Sequence, residues 1–206
     1  MRCFIGLDLA PKEKLSLESW RQQALPEISP REPAGKKPVK KRFEASTAAT
    51  PVAVPAANYH ITLAFLGDVT PRQHEALIQA LDDISAPPLT LCLDSTGMWG
   101  GPKIMFAAPT KVPEELTLLA KQIRQASRRV GIALDNREYL PHVTLVRKVT
   151  AAVPAPLLPP SVTCSFNHFH LFESVSTPSG VVYPVRQSWQ LQSLLSIREQ
   201  LKRGLI

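Results

Sequence analysis

Cysteine is scarce in this 206-residue chain: Cys3, Cys92 and Cys164 are all there is. An odd count at wide spacing supplies neither a disulfide framework nor a CxxC metal half-site, and it fits a reducing compartment. No run approaches the roughly 18 apolar residues that a membrane-spanning helix needs. The first ten residues carry an Arg and an Asp within a short apolar stretch, so a secretory leader is not expected and the cytoplasm is the expected location. A GxSxG nucleophile elbow is also missing.

What is present points to a folded protein. Apolar residues make up 44% and charged residues 20%, close to the averages for soluble globular chains. Proline is in excess at 20 residues, and nine of them cluster at 30 to 55 and 154 to 160, two stretches that read as loops. The net charge of +7 is uneven. Residues 31 to 42 (REPAGKKPVKKR) hold six bases and one acid, a local +5 that leaves +2 for everything else. That segment could gather a polyanionic partner by long-range attraction or simply be a soluble loop.

Periodicity predicts a strand at 2–9, a helix from Pro11 to Leu25, and an irregular insertion over 27–57. A strand follows at 58–66, with Tyr59, Ile61, Leu63 and Phe65 on one face and His60, Thr62 and Ala64 on the other. Thr70-Pro71 opens a helix to about Ile84. Strands at 89–97 and 103–108 are expected to pair around Trp99-Gly100-Gly101-Pro102, and a helix spans 113–130 up to Gly131. The last strands are placed at 142–149, 163–175 and 180–191. Hairpins mixed with single helices favour an α+β fold with antiparallel sheet over a doubly wound parallel one.

The informative feature is a repeat of chemistry. His60-Ile61-Thr62-Leu63 and His142-Val143-Thr144-Leu145 each put a histidine and a threonine on one strand face and two aliphatic residues on the other. A single HxT is common in half-buried strands. Two copies, each in an apolar strand, suit one cleft in which one imidazole deprotonates water, the other protonates a leaving oxygen, and two hydroxyls hold phosphoryl oxygens.

In these paired motifs, extended as Ala64-Phe65-Leu66-Gly67 after the first and with Pro141 before the second, the chain resembles the two-histidine (2H) phosphoesterases. It is most similar to their LigT-like branch, the RNA 2′,3′-cyclic phosphodiesterases also called 2′-5′ RNA ligases. The resemblance implies one bilobal, pseudo-symmetric domain over 1–206, with helices outside two antiparallel sheets and a central groove. A basic insertion at about 31–56 and a C-terminal extension at about 192–206 depart from the family pattern. It implies metal-independent hydrolysis of a terminal 2′,3′-cyclic phosphate to a 2′-phosphomonoester, with reversible 2′-5′ ligation as a companion activity. His60 is then the proton donor, His142 the proton acceptor, and Thr62 and Thr144 the phosphate donors. The implied partner is RNA ending in a 2′,3′-cyclic phosphate or carrying a 2′-5′ linkage. No cofactor, no metal and no membrane are implied, and a monomer is expected.

Two further residues are candidates for substrate binding. Arg147 occupies a place where the family often has a base, yet regular alternation from Thr144 puts it on the opposite face; a bulge would turn it into the groove, and otherwise it is a solvated strand-end charge. Tyr139 would stack on a nucleobase or else belong to the core. Rival readings are a zinc hydrolase built on His168 and His170, an RNA-end-binding module without turnover, and a 2H hydrolase of small cyclic nucleotides. His168 and His170 lack an Asp, Glu or Cys at ligand spacing. His74 reads as a surface residue.

Overall fold

The computed structural model describes residues 1–29, 50–149, 153, 156–178 and 180–192. Most of the basic insertion and nearly all of the C-terminal extension therefore lie outside the described residues. In chain order the elements are β1 (Arg2–Asp8), α1 (Pro11–Ala24), β2 (Val52–Ala53), a short 3₁₀ turn (Ala56–Asn58), β3 (His60–Asp68) and α2 (Pro71–Asp82). Next come β4 (Leu89–Leu93), β5 (Ser95–Trp99), β6 (Ile104–Ala108), α3 (Glu114–Arg129) and β7 (Val143–Arg147). The chain continues through β8 (Val162–Phe166), β9 (His168–Glu173), β10 (Val175–Thr177), β11 (Gly180–Val182) and β12 (Val185–Gln190).

Each described helix begins on a local chemical signal, and α3 also ends on one. Pro11 opens α1, where the Glu13 carboxylate accepts the Ala10 N–H at 2.8 Å. Thr70 caps α2 by a reciprocal pair: its hydroxyl accepts the Gln73 N–H at 3.2 Å, and the Gln73 side-chain oxygen accepts the Thr70 N–H at 3.1 Å. Acids sit in the first turn of α3 and arginines in its last, matching the helix dipole. Gly131 then takes φ +77°, letting the Ile132 N–H reach back to the Ser127 carbonyl at 3.1 Å and close the helix.

Among the described residues every strand pairing is antiparallel, in keeping with the α+β reading. Two four-stranded sheets, ordered β12-β9-β1-β3 and β2-β7-β6-β5, carry one histidine motif each; β10-β11 and β4-β8 form two smaller ribbons. α3 packs on β3 and α2 on α3, while α1 packs on β8. Leu17, Tyr59, Ile61, Leu77, Leu119, Ile123, Leu145 and Phe169 are fully buried between these layers.

The structure corrects several boundaries. The apolar stretch 89–97 is two strands: β4 leaves to pair with β8, and only β5 makes the hairpin with β6. The stretch 163–175 divides in the same way, β8 joining β4 and β9 joining β1. An apolar run shows burial but not its partner, so such breaks have no signature of their own. The end of the insertion belongs to the fold, because Val52 and Ala53 pair with Arg147 and Val146.

Candidate active site

β3 and β7 approach within 8 Å, Cα to Cα, which brings the two motifs together from separate sheets. Both histidines are set in the same manner. Nδ1 of His60 lies 2.7 Å from the Asn58 carbonyl, and Nδ1 of His142 lies 2.8 Å from the Leu140 carbonyl. A carbonyl only accepts, so each Nδ1 carries the proton and each Nε2 is left with its lone pair for chemistry. The spacing, two residues before the histidine, is identical in the two halves.

Aromatic rings clamp the imidazoles. His60 lies 4.6 Å from Phe4 and 5.1 Å from Tyr183; His142 lies 4.6 Å from Trp99 and 5.4 Å from Phe106, both edge-on. Burial among these rings lowers the pKa of both histidines. That of His60 falls to about 4, opposed by its bond to Asn58 and lowered further by the positive charges of Arg147, His142 and Lys14. The His142 pKa is lowered by desolvation against the opposing bond to Leu140.

A groove of about 530 Å³ collects Thr62, Tyr139, His142, Thr144 and Arg147. His60 lines a smaller hollow of about 50 Å³ with Asp8, Lys14 and Tyr183. The Tyr183 hydroxyl, 3.5 Å from Nη2 of Arg147, links the two spaces.

Arg147 reaches the groove because β7 is bulged. Phe106 faces Thr144 and Met105 faces Val146, so Leu145 has no partner on β6. Leu145 and Val146 are consecutively buried, alternation reverses, and Arg147 joins the Thr144 face. β3 repeats the device. Gly6 faces Thr62 and Ile5 faces Ala64, leaving Leu63 unmatched. Leu63 and Ala64 are both buried, so Phe65 is 62% exposed in the groove instead of sharing the buried face expected for it. Phe65 and Arg147 each stand five residues after their histidine.

The Tyr139 ring lines the groove, yet its buried hydroxyl has no hydrogen-bond partner among the described residues, and desolvation raises its pKa. His74 is half-buried with Nε2 enclosed, contrary to the surface position expected. His168 and His170 stack at 6.1 Å, and Nδ1 of His170 lies 2.8 Å from the Ser188 hydroxyl. Among the described residues no three His, Cys, Asp or Glu side chains gather as metal ligands would. Trp99, Phe65 and Tyr183 are the site residues that sequence reasoning did not single out. An aromatic beside a Gly-Pro turn was the only available signal for Trp99.

The LigT-like phosphoesterase family model matches residues 28–104 and again 107–183, one motif falling in each match. The chain belongs to this family. Among LigT-like phosphoesterases, the RNA 2′,3′-cyclic phosphodiesterase of Escherichia coli K12 is 30% identical over 192 residues, covering 92% of this chain and 96% of that protein. The namesake of Aquifex aeolicus is 28% identical over 147 residues, covering 65% of this chain and 78% of that protein. The crystal structure of E. coli LigT complexed with 3′-AMP superimposes with a TM-score of 0.77 at 28% identity, covering 93% of this chain and 98% of that one.

Proposed function

We propose that this protein is an RNA 2′,3′-cyclic phosphodiesterase that opens a terminal cyclic phosphate to a 2′-phosphomonoester without a metal. The observation that carries this reading is the matched pair of Nδ1-protonated imidazoles, each offering Nε2 beside a threonine. The curated relatives named RNA 2′,3′-cyclic phosphodiesterase support the substrate class.

In the proposed reaction Nε2 of His142 takes a proton from water as its oxygen bonds to phosphorus. The bond from phosphorus to O3′ breaks, and Nε2 of His60 gives its proton to that oxygen. Thr62 and Thr144 donate to the non-bridging oxygens, and Arg147 neutralises their charge. His60 is deprotonated at neutral pH in the free protein, its pKa being held at about 4. A phosphodiester anion beside it favours the imidazolium, so binding and proton uptake are coupled. With a 5′-hydroxyl in the place of water, the same steps would open the cyclic phosphate to a 2′-5′ linkage, the bond from phosphorus to O3′ breaking and O3′ taking the proton from His60 as before. The whole chain acts as a single two-lobed domain in this reading, and it works as a monomer in the cytoplasm.

The test is product analysis on an oligoribonucleotide ending in a 2′,3′-cyclic phosphate, with EDTA present. A 2′-phosphate product at an undiminished rate is expected. A 3′-phosphate product, loss of activity with chelator, or tight binding of the end without turnover would each refute the proposal.

A further inference from the structure

Tyr183 belongs to neither motif, yet it stands where the two meet. Its ring packs edge-on against His60 and against Phe4, both at 5.1 Å between centroids. Its hydroxyl accepts a long hydrogen bond, 3.5 Å, from Nη2 of Arg147. One side chain therefore touches the imidazole of the first sheet and the guanidinium of the second.

The backbone beneath it is fixed on both sides. The Asn58 side-chain amide donates to the Val181 carbonyl at 2.7 Å, and Asn58 is the residue whose own carbonyl orients His60. On the other side the Pro184 carbonyl accepts the Glu173 N–H at 3.0 Å. Asp8 and Lys14, which line the same hollow, are paired with each other at 2.6 Å. Among the described residues the phenolic proton of Tyr183 has no acceptor. A phenol is a neutral O–H donor, and here it lies between a histidine and an arginine that both address one phosphoryl group.

We propose that Tyr183 is a third hydroxyl donor to the phosphoryl oxygens, aligned by Arg147 and acting beside Thr62 and Thr144. This rests on the reading of the groove as a phosphodiester site. The bond forms to oxygens that are charged both before and during reaction. It is therefore binding shared by ground and transition states, and its loss belongs in KM.

Tyr183→Phe keeps the ring against His60 and removes only the donor. With a nucleoside 2′,3′-cyclic phosphate it is expected to raise KM about tenfold while kcat changes less than about twofold. The dissociation constant for inorganic phosphate, followed by NMR titration of the histidine resonances, is expected to weaken by a similar factor. In an Arg147→Ala background the further change Tyr183→Phe is expected to shift phosphate affinity less than about twofold, because the hydroxyl has lost its anchor. Unchanged KM and phosphate affinity in Tyr183→Phe would overturn the assignment, as would a fall confined to kcat. An undiminished tenfold effect without Arg147 would overturn the alignment. A wild-type protein that does not turn over the cyclic phosphate would defeat the functional reading. The phosphate titration would then still decide Tyr183, and failure of the wild-type protein to bind phosphate would overturn it.

Discussion

At the scale of single residues, the proposed reaction asks two chemically identical side chains to do opposite things. His60→Ala and His142→Ala should each lower turnover on the order of 10²-fold or more, with circular dichroism unchanged. A substrate whose 3′ leaving atom is sulfur separates the roles, since a thiolate departs without being protonated. The sulfur substrate is expected to restore His60→Ala and to leave His142→Ala impaired; restoration of the opposite variant would exchange the assignments. Both imidazoles have pKa values below the ordinary 6.5, that of His60 near 4. The proposed reaction needs one of them protonated and the other free. At pH 7 the singly protonated form is a minor fraction that grows on acidification, and it is lost once both rings carry a proton. A plot of kcat/KM against pH is thus expected to peak on the acid side of neutrality, and a maximum at pH 8 would contradict this arrangement.

Among the elements, the strands carry the lesson about legibility. His60, Thr62, His142 and Thr144 could be read as groove residues because a two-residue period puts them on one face. The same period misplaced Phe65, and it left Arg147 open, because each strand gains an unmatched leucine at Leu63 or Leu145. Nothing in a leucine announces a bulge; the mismatch exists only against a neighbouring strand. Tyr183 and Trp99 stayed hidden for a related reason, since pairings distant in sequence bring them to the histidines. Tyr139 shows a mixed outcome, its ring in the groove and its hydroxyl in the interior.

The β1–β3 pairing offers a direct test of how tightly the first bulged strand is held. A Cβ on Gly6 would lie 2.7 Å from the Ile61 carbonyl oxygen, between the histidine and threonine of the first motif. Gly6→Ala should cost about 1–3 kcal/mol in urea unfolding and depress turnover, because β1 and β3 must separate. Gly100→Ala, with nothing within 4 Å of the added carbon, should be close to neutral in both measurements. Equal behaviour of the two variants would show that β3 shifts at little cost.

Over the whole molecule, the densest positive charge and the histidine groove are separate in sequence. The residues lining the larger groove lie between 62 and 147, whereas the densest basic run is 31–42. A deletion of 34–54 would take away β2, which pairs with the Arg147 end of β7, so the useful truncation stops at residue 49. Removing 34–49 is expected to spare turnover of a nucleoside 2′,3′-cyclic phosphate and to flatten the salt dependence of RNA binding. An unaltered salt slope would leave that run with no part in gathering RNA.

The twin kinks have a consequence for how a guest molecule enters. A frame with near two-fold symmetry would by itself accept a ligand in either of two opposite senses. At the fifth position after each histidine the halves part company, Phe65 presenting an oily bank and Arg147 a cationic one. A nucleotide has a flat ring at one end and an anion at the other, so only one heading satisfies both banks. The halves are alike enough to build the cleft and unlike enough to give it a front and a back.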